Sequence, residues 1–578
     1  MKTDLVLLHA PSVYDFRKKS IMFGPMSDLV PSTPIFEMYP IGFLTMANYL
    51  SKRGFNVRIV NLAYRMLRDN DFDAEKFIRS LKPRAFGIDL HWLPHCQGST
   101  EVAGIIKKYH PQIPVIFGGF SSSYFYEELI GFDQVDYILK GDSTEEPLYQ
   151  LMSAIRKGDK ASLKQIPNLA WKENGKVYDN PIKCISSDLS EIDFDYRLMF
   201  KKVLRYGDIK STVPFIDWFR YPITTIPVVR GCNNECSGCG GSKSAFKTFA
   251  ARKKPAFRDP KKLVDEIIVI QKHINAPVFL LGDLNNNGSR YVKEFFDQAK
   301  RLDRKMQIFF EFFDPPEEEF FDMAADTFDN VCYEISPDSH DESIRKKMGK
   351  TFSNQDLISS IKYALDKGGL RFDLYFMTGL PGQDRKSISD TVEFCREIYE
   401  KTGWDKRFMP FISPMAPFLD PGSRAFEQPE KFGYRLTRKT LKDHIEAITM
   451  PSWKYILNYE SDSINADDLV DSTYEAALGL NRLKGKAGGI ENELMEANEE
   501  RIIIAQRVMR EIDAIMKEDD TAVREEKLKD LKEKTYKYSL STVCEKKELE
   551  FPLFSSSFNW KEIIRTTLKR SERVRIDR

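Results

Sequence analysis

The sequence predicts an α/β protein with three parts: an N-terminal domain built on a parallel sheet, a central partial β/α barrel and a mostly helical C-terminal region. Short apolar runs alternate with amphipathic stretches in two series, and three closely spaced cysteines lie between those series. Residues 491–535 are rich in Glu, Lys, Arg, Ala and Leu, as in solvated amphipathic helices. We expect domains over residues 1–160 and 223–415, a connecting region over 161–222 and helices over 416–578.

Length and composition limit the class of protein. A chain of 578 residues is too long for one ordinary core, so about two to four domains are expected. The 87 basic and 86 acidic residues nearly cancel, and no net charge attracts nucleic acid or anionic membranes. The apolar runs are strand-sized and the N-terminus does not resemble a signal peptide, which predicts a cytoplasmic protein without a membrane span.

The first 157 residues predict a flavodoxin-like or Rossmann-like sheet with helices on both faces. We expect strands at Leu5–His9, Asn56–Asn61, Ala85–Leu90, Pro114–Phe117 and Asp136–Leu139. We expect helices around Gly42–Lys52, Asp73–Leu81, Ser99–Tyr109, Phe125–Leu129 and Glu145–Ile155. Ligands of such folds bind at the carboxyl ends of the strands.

A glycine pair falls at one of these strand ends. Gly118 and Gly119 follow the fourth predicted strand, and their lack of side chains lets the backbone approach a bulky group. Ser121 follows them and can donate a hydrogen bond to such a group. A long insertion, Ser12–Tyr39, separates the first strand from the first helix, and its aromatic content predicts an ordered segment that folds over a cofactor or substrate.

Cys232, Cys236 and Cys239 form a Cys-x3-Cys-x2-Cys motif. Three thiolates at this spacing can bind three irons of a [4Fe-4S] cluster and leave the fourth iron open to a small molecule. A structural zinc site completed by a remote fourth ligand is the alternative, although zinc sites more often combine two Cys-x2-Cys pairs and the sequence contains no second pair. The other cysteines are dispersed, so no additional cluster is expected.

The segment after the cysteines repeats a strand and helix pattern. Strands are expected at Pro277–Leu281, Gln307–Phe313, Val331–Ile335, Arg371–Met377 and Phe408–Ile412. Helices are expected at 260–274, 289–302, 353–367 and 386–401. Such repetition builds complete or partial barrels, whose sites lie at the carboxyl ends of the strands.

The cysteine motif follows the apolar run Ile226–Val229 and resembles the signature of the radical S-adenosylmethionine (radical SAM) superfamily. Gly238 stands where that superfamily usually has an aromatic residue, just before the third cysteine. The resemblance implies a [4Fe-4S] cluster on Cys232, Cys236 and Cys239. It also implies reductive cleavage of SAM to a 5′-deoxyadenosyl radical.

Five residues near the predicted strand ends resemble the SAM contacts of that superfamily. Asp283 stands where a Gly-Glu pair usually receives the SAM amino group, and Glu334 and Ser336 resemble a ribose-contacting pair. Arg345 is expected to bind the SAM carboxylate, since a guanidinium can do so bidentately. Gly379 opens a Gly-Leu-Pro-Gly turn that resembles the one passing the adenine.

The N-terminal domain resembles the cobalamin-binding domain of the B12-dependent branch of these enzymes. The resemblance rests on the Gly-Gly pair after the fourth strand and on Gly141-Asp142 with Glu145 after the fifth. It implies that Gly118, Gly119 and Ser121 border cobalamin. The Asp-x-His-x-x-Gly box that offers a histidine to cobalt is absent after the first strand.

A partial echo of that box after the third strand contains His91, with His95 four residues later. We expect both to be hydrogen-bonded histidines at a strand end and not metal ligands, because such histidines are the commoner case.

The implied function is cobalamin-dependent methylation of an unactivated carbon. Radical-mediated carbon–carbon coupling or ring formation without methyl transfer, for example on a lipid or tetrapyrrole, is a second hypothesis. A non-catalytic zinc-binding or corrinoid-binding protein is a third. The enzyme hypotheses imply a small-molecule or peptide substrate, an electron donor such as ferredoxin or flavodoxin, and no nucleic acid.

Overall fold

The computed structural model describes residues 3–23, 33, 35–415, 417–535, 543–553 and 555–568. A mostly parallel sheet and a fully parallel sheet form the two α/β domains, and a helical region packs beside the second. Among the described residues, no helix is both long enough and apolar enough to cross a membrane.

The first sheet has seven strands in the order β2-β1-β3-β4-β5-β6-β7. The strands are β1 Leu5–His9, β2 Val57–Asn61, β3 Ala85–Asp89, β4 Val115–Gly118, β5 Tyr137–Leu139, β6 Leu169–Glu173 and β7 Lys176–Asp179. Strands β1 to β5 are parallel and confirm the five predicted strands. Their flanking helices are α1 Gly42–Lys52, α2 Leu62–Arg68, α3 Ala74–Ser80, α4 Cys96–Tyr109, α5 Phe120–Tyr124, α6 Tyr126–Leu129 and α7 Glu145–Lys157.

The antiparallel hairpin β6-β7 extends the first sheet past the predicted boundary at residue 160. Asn174 and Gly175 join its strands, and both have positive φ values of 51° and 74°. Two such residues suit the tight turn of a hairpin. The region 161–222 is therefore not only a connector, because its first part hydrogen-bonds to β5. Helix α8, Arg197–Tyr206, follows the hairpin.

The second sheet is the predicted partial barrel. Its strand order is β16-β15-β14-β13-β12-β8, and every neighbouring pair is parallel. The strands are β8 Thr224–Pro227, β12 Val278–Leu281, β13 Gln307–Phe312, β14 Asn330–Asp338, β15 Arg371–Thr378 and β16 Phe408–Pro414. Short antiparallel pairs join β9 Val229–Arg230 with β10 Ala256–Phe257, β11 Ile274–Asn275 with β19 Ser557–Phe558, and β17 Tyr434–Leu436 with β18 Tyr459–Ser461.

Helices cover the outside of the barrel and match the predicted pattern. They are α9 Lys243–Ala250, α10 Pro260–His273, α11 Ser289–Ala299, α12 Glu318–Thr327, α13 Glu342–Met348, α14 Asn354–Asp366 and α15 Arg385–Lys401. The largest apolar core surrounds the barrel strands, and aromatic side chains such as Phe295, Phe310 and Phe321 fill it. Aromatic side chains bury much apolar area each, so this core contributes strongly to stability.

The C-terminal region is mostly helical, as predicted. Its helices are α16 Arg424–Glu427, α17 Leu441–Ala447, α18 Trp453–Ile456, α19 Ala466–Lys486, α20 Asn492–Met516, α21 Thr521–Thr535 and α22 Trp560–Leu568. A segment between α21 and α22 returns to the barrel, where Arg371 donates to the carbonyls of Glu548 at 2.9 Å and Glu550 at 2.7 Å. Phe551 packs there among Tyr221 and Phe309.

Two arginine–carboxylate pairs join the two α/β domains on either side of the cysteine motif. Arg230 donates to Glu145 at 3.0 Å, and the Thr45 hydroxyl donates to the same carboxylate at 2.8 Å. Arg252 donates to Asp142 at 3.1 Å, and these two side chains are only 3% and 4% exposed. Both acids follow β5 in the first domain, so the pairs fix the cysteine region against that strand end.

Arg252→Ala should destabilise the protein, because it leaves the Asp142 carboxylate buried without its partner. Loss of one member of a buried ion pair typically costs about 3–5 kcal/mol. Urea unfolding followed by tryptophan fluorescence should show a lower midpoint for the variant.

Lys362→Ala is the control, since Lys362 pairs with Asp366 on an exposed helix surface. Exposed pairs contribute about 0–1 kcal/mol, and this variant should unfold close to the wild type. Replacing both Asp142 and Arg252 by Ala should recover part of the loss. An Arg252→Ala variant as stable as the wild type would refute the structural role of this pair.

Candidate functional site

One cavity of about 760 Å³ connects the carboxyl ends of the first sheet with the interior of the barrel. Its volume lies within the ~300–1,000 Å³ range of small-molecule sites. The first domain contributes residues that include Asp89, His91, Trp92, Gly118, Gly119 and Leu139. The barrel contributes residues that include Leu281, Glu311, Glu334, Ser336, Asp373 and Met377.

The predicted glycine pair lies in the wall of this cavity. A side chain on Gly119 would place its Cβ 2.5 Å from the His91 Cα, and the φ of Gly119 is +116°. Only glycine fits both conditions without rearrangement. Gly118 is less confined, because the nearest atom to a Cβ there is the Leu139 carbonyl at 3.8 Å. Ser121 lies outside the described wall, with its N–H donating to the His91 carbonyl at 3.2 Å.

The two histidines after β3 differ in their partners. His95 is fully buried, and its Nε2 lies 3.0 Å from the Phe36 carbonyl, which confirms the predicted hydrogen-bonded histidine. His91 lines the cavity, and its ring makes no hydrogen bond to any described residue, so the same prediction is wrong for His91. Burial lowers the pKa of His91 to about 4, so its imidazole is neutral at physiological pH.

The described end of the long insertion also borders the cavity. Met38 and Tyr39 line it, and the Phe36 carbonyl lies 3.1 Å from the Nε2 of His9. His9 pairs through Nδ1 with Asp89 at 3.0 Å. Residues 24–32 and 34 of the insertion lie outside the described residues.

The cysteine motif occupies the loop between β9 and α9. The Cys232 Sγ accepts a hydrogen bond from the Asn234 N–H at 3.3 Å, and the Cys239 Sγ accepts one from the Gly241 N–H at 3.2 Å. Backbone N–H groups that face cysteine sulfurs stabilise thiolates and tune the potential of an iron–sulfur cluster. The loop therefore provides the polar surroundings that cluster ligands need.

Burial and one buried ion pair determine the surroundings of the cysteines. Burial raises the pKa of Cys236 to about 11, so this thiol is protonated when no metal binds it. Lys350 lies nearby, and its ammonium donates to the Asp338 carboxylate at 2.9 Å and to the Ser336 carbonyl. Among the described residues, no three His, Cys, Asp or Glu side chains converge on a single metal ion. In a cubane, each cysteine binds a separate iron.

Gly238, which replaces the usual aromatic residue of the motif, is surrounded by thioethers. A Cβ on Gly238 would lie 3.2 Å from the Met415 Sδ and 3.6 Å from the Met348 Cε. These flexible side chains occupy the space beside the loop, as methionine often does in irregular gaps. The departure from the superfamily pattern therefore has a local packing reason.

Three acids form one row across the interior of the barrel. Glu311 of β13 is in register with Glu334 of β14, and Glu334 is in register with Asp373 of β15. All three line the cavity. Glu311 accepts from the Gly282 N–H at 2.6 Å, and Asp373 accepts from Arg371 at 2.7 Å.

The row has a shared electrostatic property. Burial raises the pKa of Glu311 to about 7, and burial beside Glu311 and Asp373 raises that of Glu334. Burial also raises the pKa of Asp373, although Arg371 opposes the shift. Perturbed acids in an apolar cavity are typical of functional sites.

Sequence reasoning found Glu334 and Ser336 and missed Glu311 and Asp373. The available signal was a single charged residue inside an otherwise apolar strand, as Glu311 is within the phenylalanines of β13. Such a residue faces the barrel interior only if it shares the register of its neighbours, and register became known only from the structure.

Three predicted SAM contacts, Asp283, Gly379 and Arg345, make hydrogen bonds within the protein. Asp283 is 2% exposed, and its carboxylate accepts from the N–H groups of Asn285 at 2.8 Å and Phe313 at 2.9 Å. Burial raises the pKa of Asp283 to about 6. Gly379 has a φ of +86°, its carbonyl accepts from the Tyr434 hydroxyl at 2.8 Å, and a Cβ there would lie 2.4 Å from the Tyr459 hydroxyl oxygen. Neither Asp283 nor Gly379 lines the described cavity.

Arg345 is fully buried and also lies away from the cavity wall. Its guanidinium donates to the carbonyls of Ser339 at 2.9 and 3.1 Å and of Phe352 at 2.8 Å. It also donates to Asn354. These contacts use most of its donors, and the bond from Arg345 to a SAM carboxylate stays a prediction.

Two family models match the chain. The model of the radical SAM superfamily matches residues 226–395, which include the cysteine motif and most of the barrel. The model of the B12 binding domain matches residues 30–148, which include β2 to β5.

Curated relatives are distant. An anaerobic magnesium-protoporphyrin IX monomethyl ester cyclase from Synechocystis sp. is 23% identical over 46% of this chain and 49% of that protein. The cyclase of the same name from Rubrivivax gelatinosus is 26% identical over 44% of this chain and 43% of that protein. The chain thus matches about half the length of these cyclases. An uncharacterized methyltransferase from Pyrococcus horikoshii is 22% identical over 62% of this chain and 73% of that protein.

Two solved structures share the fold. The radical SAM methyltransferase TsrM from Kitasatospora setae, with cobalamin and a [4Fe-4S] cluster bound, has a TM-score of 0.54 at 16% identity, covering 76% of this chain and 81% of that one. The cobalamin-dependent SAM radical enzyme OxsB, with aqua-cobalamin and SAM bound, has a TM-score of 0.54 at 12% identity, covering 98% of this chain and 78% of that one.

Cys236→Ala should lose most of the iron and sulfide that the wild type binds after anaerobic reconstitution, because one iron of a cubane loses its only protein ligand. Quantification of iron and acid-labile sulfide, with the absorbance near 400 nm as a rough guide, measures the loss. Cys184→Ala is the control, since Cys184 lies outside the motif and should leave the iron content unchanged. Full cluster content in Cys236→Ala would contradict the assignment.

Proposed function

Because the chain belongs to the radical SAM enzymes that carry a B12-binding domain, we propose that it is a cobalamin-dependent methyltransferase acting on an unactivated carbon. Its cofactors under this proposal are a [4Fe-4S] cluster, SAM and cobalamin. A donor such as ferredoxin or flavodoxin supplies the electrons, and the substrate is a small molecule or peptide.

The single continuous cavity carries this proposal. Methyl transfer needs a substrate carbon within reach of both a radical source and a methyl carrier. In this chain the strand ends expected to border cobalamin, at Gly118 and Gly119, open into the same space as the barrel residues Glu334 and Ser336. A substrate in that space can approach both cofactors without leaving the protein.

The chain's own residues hold and orient the cofactors. Cys232, Cys236 and Cys239 would hold the cluster, while Glu334 and Ser336 would contact SAM. Glu311, in register with Glu334, would join them. When bound, the cluster supplies the electron that cleaves SAM, and cobalamin carries the methyl group.

The protonation of the acid row determines its hydrogen bonds. Burial beside Glu311 and Asp373 raises the pKa of Glu334 and so favours its protonated form, which can donate to a ribose oxygen. Glu311 titrates near neutral pH and can offer a carboxylate to a cationic group of SAM. The aromatic walls at Phe279 and Phe309 exclude water, which strengthens both interactions.

Ring formation or carbon–carbon coupling is the second candidate function. The two cyclase relatives favour it, since both are more similar to this chain in identity than the methyltransferase relative is. Under this candidate the radical chemistry is retained and the methyl group stays on SAM or on cobalamin.

Purified enzyme loaded with cobalamin should distinguish the two functions. We expect near-stoichiometric corrinoid per chain, and incubation with SAM carrying a trideuterated methyl group under reducing conditions should transfer that label to the corrinoid. Mass spectrometry of the extracted corrinoid reads out the label without knowledge of the substrate. Bound corrinoid that stays unlabelled while 5′-deoxyadenosine forms would refute methyl transfer and favour coupling or cyclisation.

SAM affinity should rise with pH between about 6 and 8. The pKa of Glu311 is raised to about 7, so its carboxyl is neutral below this pH and anionic above it. The anion attracts the positive charges of SAM, and we expect roughly a threefold to tenfold gain in affinity by calorimetry.

Glu311→Gln should bind SAM with little dependence on pH over this range. Asp322→Asn is the control, because Asp322 is a surface acid paired with Lys367 outside the cavity, and this variant should keep the wild-type profile. An unchanged pH dependence in Glu311→Gln would exclude Glu311 from the SAM site.

A further inference from the structure

The seven histidines of the chain differ in one respect that bears on metal binding. Six of them make at least one ring-nitrogen hydrogen bond to a described residue. These are His9, His95, His110, His273, His340 and His444. His91 is the exception, since its ring has aromatic neighbours and no hydrogen-bond partner within the described parts of the chain. His91 is half-buried, so its unpartnered ring nitrogens are open to a ligand that enters the cavity.

The position of His91 is fixed by packing on several sides. Its ring lies 4.4 Å from that of Phe120 and 4.6 Å from that of Trp92, measured between centroids. Its carbonyl accepts from the Ser121 N–H at 3.2 Å. The Gly119 backbone lies so close that a Cβ there would be 2.5 Å from the His91 Cα. A loop held this way presents the imidazole to the cavity with little freedom, which lowers the entropic cost of binding.

His91 is also in the right chemical state for a metal. Burial keeps the ring neutral, because it lowers the pKa to about 4. Neutral imidazole is the form that binds metals through a nitrogen lone pair. Asp89 also lines this wall, but its carboxylate is already paired with His9 at 3.0 and 3.1 Å. His95 also has an unpartnered ring nitrogen, Nδ1, but His95 does not line the cavity, so His91 is the histidine that can reach a ligand there.

We propose that His91 is the protein ligand to the cobalt of bound cobalamin. This inference rests on the proposed function, which requires that cobalamin binds at all. A ring-nitrogen lone pair forms the bond to cobalt and displaces the cofactor's own benzimidazole base or a water molecule. No electron is transferred, and no proton leaves, because the imidazole is already neutral.

This cobalt ligand would follow the third strand and not the first, where the Asp-x-His-x-x-Gly box of other cobalamin-binding domains lies. Cobalt-binding histidines of the Asp-x-His-x-x-Gly type follow the first strand, where this chain has the paired His9. His91 follows β3, which lies beside β1 in the sheet. The neighbouring strand thus presents the imidazole to the same strand-end cavity.

Electron paramagnetic resonance of the cob(II)alamin form tests the proposal. The full-length protein is produced with all histidines labelled with ¹⁵N and loaded with unlabelled cobalamin. A ¹⁴N ligand splits each cobalt hyperfine line into three, and a ¹⁵N ligand splits it into two. We expect triplets in unlabelled protein and doublets in labelled protein, which distinguishes histidine from the benzimidazole of the cofactor.

Two variants assign the signal to one histidine. His91→Ala should still bind cobalamin and should lose the ¹⁵N doublet, whereas His110→Ala should keep it, because His110 binds the Ile78 carbonyl away from the cavity. Triplets that persist in labelled protein, or lines without nitrogen splitting, would overturn the inference and leave the proposed function intact. Absence of bound cobalamin would overturn both. The labelled wild type is decisive even if His91→Ala does not fold.

Discussion

The arginine pairs on either side of the cysteine loop hold the two α/β domains together, and the cavity depends on that arrangement. Glu145 and Asp142 follow the last parallel strand of the first sheet, while Arg230 and Arg252 flank the cysteines. Phe120, just after the glycine pair, packs on the helix that follows the cysteines. The strand ends of one domain and the loop of the other are therefore a single packed unit.

The barrel interior tolerates its acids because their charges are suppressed or paired. Ionised carboxylates at neighbouring positions of adjacent strands would repel one another in an apolar cavity. The raised pKa values of Glu311 and Glu334 relieve this repulsion, and Asp373 has Arg371 as its counter-ion. The result is a row of polar groups across the barrel side of a cavity that is otherwise lined largely by apolar side chains.

Much of the fold was predictable from the sequence, because buried parallel strands leave apolar runs and amphipathic helices leave a regular period. The cysteine motif could also be identified from the sequence, since the spacing of its three cysteines is visible there. The hairpin after residue 160 was missed because it is short, its second strand is at the sheet edge, and it carries polar residues such as Lys172 and Lys176. Arg345 and Gly379 matched superfamily positions, but sequence cannot tell a guanidinium that binds carbonyls from one that binds a ligand. Likewise, His91 and His95 look alike in sequence, and only their neighbours distinguish them.

The floor of the chamber comes from the far end of the chain. Lys546, Leu549 and Glu550 line it, and Arg371 holds this segment through two carbonyls. The residues proposed to bind the cofactors lie on other elements. Substitutions in this short segment can therefore change the depth and polarity of the cavity without changing the cysteine motif or the acid row.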